Sequence, residues 1–181
     1  DIPQKIAGLL LSAILSDTLM FRSPTSTPQD EQAANALARI AGEDIKTYAE
    51  QMFEAGGDLT GKTAEEVFVS DFKVFSRGDV KFGVGQSSYM TEKSRAAAEE
   101  LVGPYLPEAA GHHGLPMVFY MFTDVQKQST DLMYTGHDAE KIVRAAFHVE
   151  PENGKAVLPG VVSRKKQLIP FLMAAMQELT L

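Results

Sequence analysis

The 181-residue chain contains no cysteine and no tryptophan. Without cysteine there is no disulfide, no thiolate metal ligand and no cysteine nucleophile, and the expected compartment is a reducing cytoplasm. Positive charge is also in short supply: 17 Lys and Arg stand against 24 Asp and Glu, a formal net charge of −7. General nucleic-acid binding needs a broad cationic face to displace counterions, so that class is excluded. A small anion is not excluded, because a few clustered cations can sit on an acidic surface. Long apolar runs are missing as well. The most apolar stretch, Ile6 to Leu15, contains Ser12 and stops at Ser16-Asp17, well short of the roughly 20 residues that span a bilayer. It has neither a basic leader nor a small-residue cleavage site, so it reads as a helix of the folded protein, and no membrane partner is expected. The chain opens without methionine on Asp1-Ile2-Pro3 and this apolar helix, as a segment of a longer polypeptide would.

What is present is ordinary globular material, with 44% hydrophobic and 23% charged residues, enough apolar surface to offset the entropy of ordering the chain. Pro3 to Leu15 reads as a helix apolar nearly all round, which implies burial on most faces. After the hydroxyl- and proline-rich Arg22–Thr27, Thr27 is an N-cap with Pro28 in the first turn and Asp30 and Glu31 at the positive dipole end. That helix is expected to reach about Ile40 and stop at Gly42, and a second to run from about Asp44 to Ala55 and stop at Gly56-Gly57. The glycine-rich stretch Gly56 to Gly61 is the best domain boundary. Beyond it Thr63 caps a short helix. Val69–Phe75 and Val80–Gln86 read as strands around an Arg77-Gly78-Asp79 turn. A helix is expected from Thr91 to about Tyr105, strands at Met117–Phe122 and, more weakly, Asp131–Thr135, a helix from about Asp138 to Phe147, a strand over Lys155–Val162 and a last helix over Lys166–Leu179. Strands and helices mix without strict alternation, so the fold class is α/β with a mixed sheet flanked by helices.

Three places carry chemistry. Asp17 sits where an apolar helix turns polar, and a carboxylate there must be solvated, hydrogen-bonded or bound to a cation; capping or helix termination is the structural alternative. Ser163-Arg-Lys-Lys-Gln167 places three cations at a strand-to-helix junction, where backbone N–H groups and the helix dipole favour an anion. Arg grips phosphate oxygens bidentately and Lys acts as a mobile point charge. Cations are unfavourable for a helix N-terminus itself, and such local conflicts concentrate at functional sites. Lys73, flanked by Phe72 and Val74 on one face, points to the other face of its strand, as any exposed strand lysine would. Two tempting motifs are set aside. His112-His113 in Gly-His-His-Gly has no third ligand nearby and no zinc-site spacing. Gly83-Val-Gly85 lacks the third glycine of a phosphate loop and reads as a strand needing close backbone approach.

Taken together, Ala7–Phe21 with its Ile-Leu-Ser-Asp-Thr block, Ser23-Pro-Thr25 and Ser163-Arg-Lys-Lys-Gln167 resemble the family II inorganic pyrophosphatases of the DHH phosphoesterase superfamily, over essentially the whole chain. The resemblance implies residues 1–57 as the C-terminal segment of a DHH catalytic domain, 58–62 as linker and 63–181 as the substrate-binding, DHH-associated domain. It further implies two-metal hydrolysis of pyrophosphate to two phosphates with manganese as cofactor (cobalt or magnesium as substitutes), Asp17 as a metal ligand, and Lys73, Arg164 and Lys165 as substrate-binding cations. The parent protein is then a homodimer whose DHH half, with its other aspartates and its Asp-His-His block, has no counterpart here. Such a chain is expected to be inactive alone. Some members carry a nucleotide-binding CBS insert just upstream of the Asp17-like block, and a chain starting after one would begin like this one. Two competing readings are a non-catalytic phosphate-binding regulatory module and a DHH phosphoesterase acting on polyphosphate or short nucleic acids; the net charge and the Ser163–Gln167 block count against the latter.

Overall fold

A computed structural model describes residues 1–179, so positions 180 and 181 of the expected last domain lie outside the described residues. The chain divides into two compact units, Asp1–Asp58 and Leu59–Leu181. The first unit holds three helices, α1 (Gln4–Asp17), α2 (Pro28–Ala41) and α3 (Ile45–Gly56). The Thr27 hydroxyl accepts from the Asp30 N–H while the Asp30 carboxylate accepts from the Thr27 N–H at 2.8 Å, a reciprocal cap worth about 1 kcal/mol. Gly42 ends α2 in the left-handed region at φ 75°, and Asp44 caps α3 through the Thr47 N–H.

One expectation fails here. α1 is not buried on most faces: only Ala7, Leu11 and Leu15, at i, i+4 and i+8, are enclosed. Ile6, Leu9 and Leu10 are 46%, 67% and 45% exposed. The reason is the number of partners, because α1 packs on α2 and α3 from one side and a three-helix unit has no element left for its other face.

The second unit is a three-layer α/β/α sandwich. It contains α4 (Ala64–Val69), β1 (Phe72–Arg77), β2 (Val80–Tyr89), α5 (Glu92–Val102), α6 (Leu106–His112), β3 (Val118–Asp124), β4 (Ser129–Thr135), α7 (Ala139–Phe147), β5 (Lys155–Pro159) and α8 (Ile169–Glu178). The strands lie in the order β1-β2-β3-β4-β5. Only β2 and β3 are parallel; the other pairs are antiparallel, so the sheet is mixed. β3 sits at the centre, and all seven of its residues are buried. The alternation of strand side chains sends Phe82, Val84, Phe119, Met121 and Leu132 to a core shared with α7 and α8. Tyr89, Val118, Tyr120 and Phe122 go to a second core under α4, α5 and α6.

Several boundaries differ from expectation. Val69 ends α4 rather than starting β1, and Ser70 closes the helix, its hydroxyl donating to the Val67 carbonyl at 2.8 Å. The segment read as loop after Tyr105 is a helix, α6, which begins with Pro107 in its first turn, where a missing N–H costs nothing. β4 is a full seven-residue strand; its buried polar residues have partners, with Thr130 and Thr123 hydroxyls 3.0 Å apart and Asp131 paired to Arg95 and Lys155. β5 stops at Pro159, and the chain turns at Gly160, φ 75°. The glycine pair of β2 fits the sequence reading: a Cβ on Gly83 would lie 2.4 Å from the Phe72 ring, and one on Gly85 2.4 Å from the Tyr120 ring. Among the described residues, no helix is long and apolar enough to cross a membrane.

Candidate anion site

The segment between β5 and α8 has little regular structure, yet it is held at every step. The Thr130 hydroxyl donates to the Val161 carbonyl at 2.6 Å, and the Gln86 amide donates to the Val162 carbonyl at 3.0 Å. Gln167 turns back on the same segment. Its Oε1 accepts the N–H groups of Val162 and Ser163 at 2.9 and 3.0 Å, and its Nε2 donates to the Gly160 carbonyl at 2.7 Å. Ser163 is the N-cap, its hydroxyl accepting the Lys166 N–H at 3.2 Å. The Leu168 N–H reaches the Ser163 carbonyl at 3.1 Å, five residues back, so Arg164–Leu168 is a π turn that runs on into α8. The expected helix start at Lys166 therefore moves back to Arg164, and all three cations lie within the turn. Turns of this kind recur at functional sites.

The three sequence-selected cations of this unit meet different fates. Lys165 is exposed and makes no ion pair among the described residues. Lys73 is exposed on β1, directly across from Val84. Arg164 is buried, its side chain only 10% exposed. Its Nη1 donates to the Asp71 carbonyl at 2.7 Å and the Val84 carbonyl at 3.2 Å, and its Nη2 to Asp71 Oδ1 at 2.6 Å. Val84, the cross-strand partner of Lys73, thus accepts a hydrogen bond from Arg164, and the two cations are brought to the same end of the β1–β2 pair. Sequence reasoning passed over Asp71 and Gln86, whose partners are 93 and 76 residues away. Gln167 stands out in the sequence only as the end of the Ser163–Gln167 block.

In the other unit, Asp17 is the last residue of α1, and it is exposed. Solvation alone therefore satisfies its charge, and burial does not force a cation onto it. Its surroundings are nevertheless specific. The Thr25 hydroxyl donates to the Asp17 carbonyl at 3.0 Å and lies 2.8 Å from the Ser23 hydroxyl. Directly afterwards Leu19, Met20 and Phe21 all adopt left-handed backbone, φ 48°, 53° and 64°, at a cost of roughly 1–2 kcal/mol each for residues with a side chain. Strain of this kind tends to persist where the surrounding structure over-determines it, often at functional sites. Arg22, next in the chain, has its Nη1 buried without a hydrogen-bond partner among the described residues. No group of three or more His, Asp or Glu side chains able to hold a metal comes together among the described residues. Among the described residues His112 pairs with Glu108, at 3.7 Å, and the His113 ring packs 4.8 Å from Phe72.

A separate ionic cluster lies between α5 and the sheet. Arg95 bridges Glu99 and Asp131, and Lys155 reaches both carboxylates at 3.1 Å. Two cations meet two anions here. Burial nevertheless lifts the Glu99 carboxyl above its usual range, against the pull of Lys155 and Arg95. The cluster fastens α5 to β4 and β5.

The chain as a whole has matches among known proteins. The DHHA2 domain model matches residues 50–175. The chain belongs to the DHHA2 family. A probable manganese-dependent inorganic pyrophosphatase of Clostridium acetobutylicum is 40% identical to this DHHA2 chain over 174 residues, 96% of the chain and 56% of the relative. The manganese-dependent inorganic pyrophosphatase of Bacillus subtilis is 40% identical, covering 98% of the chain and 57% of the relative. The cobalt-dependent inorganic pyrophosphatase of Clostridium perfringens is 41% identical over 93% of the chain but only 31% of the relative. Among solved structures, a Methanococcus jannaschii protein assigned to family II inorganic pyrophosphatases superposes with a TM-score of 0.84 at 34% identity, covering 98% of this chain and 57% of that one. The DHHA2 chain therefore corresponds to the C-terminal part of family II inorganic pyrophosphatases. It spans about half the length of the curated manganese-dependent relatives it matches.

Proposed function

We propose that this chain is the substrate-gripping part of a manganese- or cobalt-dependent inorganic pyrophosphatase, and that it turns over nothing alone. The observation that carries the reading is the Ser163–Gln167 turn, which holds Arg164 in place and leaves Lys165 exposed at the start of a helix. Pyrophosphate carries several negative charges, and its hydrolysis adds charge at the leaving phosphate. Exposed Lys165 and Lys73 would neutralise that charge as point cations, while the N–H donors remaining on Arg164 and the helix dipole add directional contacts. Because Arg164 and the backbone of the turn are already braced, little of the frame is left to reorganise at the moment of reaction.

Divalent metal ions, when bound, lower the pKa of a coordinated water and so supply the nucleophile. Asp17 would contribute one ligand; the others would come from a DHH half outside this chain, with residues 1–57 as the end of that domain, 58–62 as linker and 63–181 as the substrate domain. In this reading the parent protein is a homodimer. Phosphate release from pyrophosphate in the presence of manganese tests the claim of inactivity. Turnover no faster than the metal-only blank is expected, and sustained turnover by these 181 residues would overturn it.

A further inference from the structure

We infer that Asp71 is a positioning residue of the anion site: its carboxylate and its carbonyl clamp Arg164, so that edge strand β1 with Lys73 and the Ser163–Gln167 turn with Lys165 form one frame. The inference rests on the anion-site reading above and adds a residue to it.

A guanidinium has five N–H donors, and three of those on Arg164 are committed to Asp71 O, Asp71 Oδ1 and Val84 O. With its side chain 10% exposed, Arg164 is a strut more than a reaching arm. The placement of its acceptors gives the strut a purpose. Asp71 immediately precedes β1, and Lys73 follows two residues later. Val84 is the cross-strand partner of Lys73. β1 is an edge strand paired on one side only, so its position depends on whatever else it is tied to. The tie is reinforced through Gln86, whose N–H donates to the Asp71 carbonyl at 3.2 Å and whose amide donates to the Val162 carbonyl at 3.0 Å.

The charge of Asp71 argues the same way. A carboxylate beside an anion site repels the anion, and a merely decorative one would weaken binding for nothing. Asp71 is 47% exposed and Arg164 is not, so the carboxylate caps the clamp from the solvent side. It can be replaced without opening the core. The acceptor atom, not the charge, is then what the site needs, and the amide of an asparagine keeps that atom.

Titrating inorganic pyrophosphate into the 181-residue chain by calorimetry at low ionic strength separates the alternatives. Asp71→Ala is expected to bind about tenfold more weakly than the unmodified chain, and Asp71→Asn within threefold of it or more tightly, as repulsion is removed while the acceptor stays. Asp71→Ala binding as tightly as the unmodified chain, or more tightly, overturns the positioning role. So does an Asp71→Asn chain that falls as far as Asp71→Ala. Lys165→Ala is the control on the site itself. If it leaves affinity unchanged, the anion-site reading fails; if it weakens or abolishes binding while Asp71→Ala leaves affinity unchanged, only the role of Asp71 fails. Should Asp71→Ala not fold, the Arg164 guanidinium resonances of the unmodified chain give a second readout. They are expected to stay in place as pyrophosphate saturates the chain, and their release from Asp71 on saturation overturns the inference.

Discussion

Replacing Gln167 gives the sharpest test of how the cationic turn is held. In Gln167→Ala three hydrogen bonds vanish together: those from the Val162 and Ser163 N–H groups and the one to the Gly160 carbonyl. Each is worth about 0.5–1.5 kcal/mol net, and a donor left unpaired in a buried position costs about 1–3 kcal/mol. Val162 and Ser163 are only 3% and 8% exposed, so their N–H groups have little access to water. Against this, freeing a glutamine side chain returns about 1.5–2 kcal/mol of rotamer entropy. The net loss is about 2 kcal/mol. With a urea m-value of about 2 kcal/mol/M, the unfolding midpoint of the second unit should fall by about 1 M. Gln167→Glu keeps both acceptor contacts and loses only the donor to Gly160, and its charge suits a helix start. It should recover more than half of the lost midpoint. Urea melts of the three chains, followed by far-UV circular dichroism, decide the matter. Equal midpoints for Ala and Glu, or no change in either, would show that these hydrogen bonds do not hold the turn.

Two further outcomes follow from the cores. Burial raises the hydroxyls of Tyr89 and Tyr120, and burial with the nearby Glu140 pushes Tyr134 from the ordinary 10.0 up to about 12. A group whose folded pKa is raised gives stability that is complete below pH 10 and lost as pH climbs to 12. With no tryptophan in the chain, absorbance at 295 nm reports tyrosinate alone; these three should ionise late, together with the loss of circular dichroism, and early ionisation of all five tyrosines contradicts the burial. Gly85→Ala puts a methyl 2.4 Å from the Tyr120 ring, which is fully buried, and should cost about 1–3 kcal/mol by overpacking. Gly56→Ala, with nothing within 4 Å, should instead stabilise by about 0.5–1 kcal/mol. Thermal melts that rank the two alanines the other way would refute the close approach in β2.

How much was readable depends on how local the cause is. Thr27, Asp44, Thr63 and Thr91 each cap a helix through an N–H three residues on, a distance within any sequence window. The glycine pair of β2 was legible because a strand interior tolerates glycine only for a reason. Helix α6 was hidden by its own composition, since Pro104, Pro107 and Gly111 suggest a loop unless they fall at helix ends. The brace made by Gln167 escaped because it is four residues from its cap, where the usual capping box spans three. Asp71 could not be found at all, being 93 residues from Arg164. Likewise, apolar residues nearly all round make α1 look enclosed, but whether an apolar face is covered depends on how many elements the unit supplies.

The central claim is that the turn from Val162 to Leu168, together with Lys73, takes up pyrophosphate. Amide chemical shifts of the 15N-labelled chain, followed during a pyrophosphate titration, test it most directly. Saturable shifts confined to Val162–Leu168 and the β1–β2 end around Lys73 are predicted, and they should disappear in Lys165→Ala. No saturable shift there, or shifts centred on another part of the unit that survive Lys165→Ala, would contradict it.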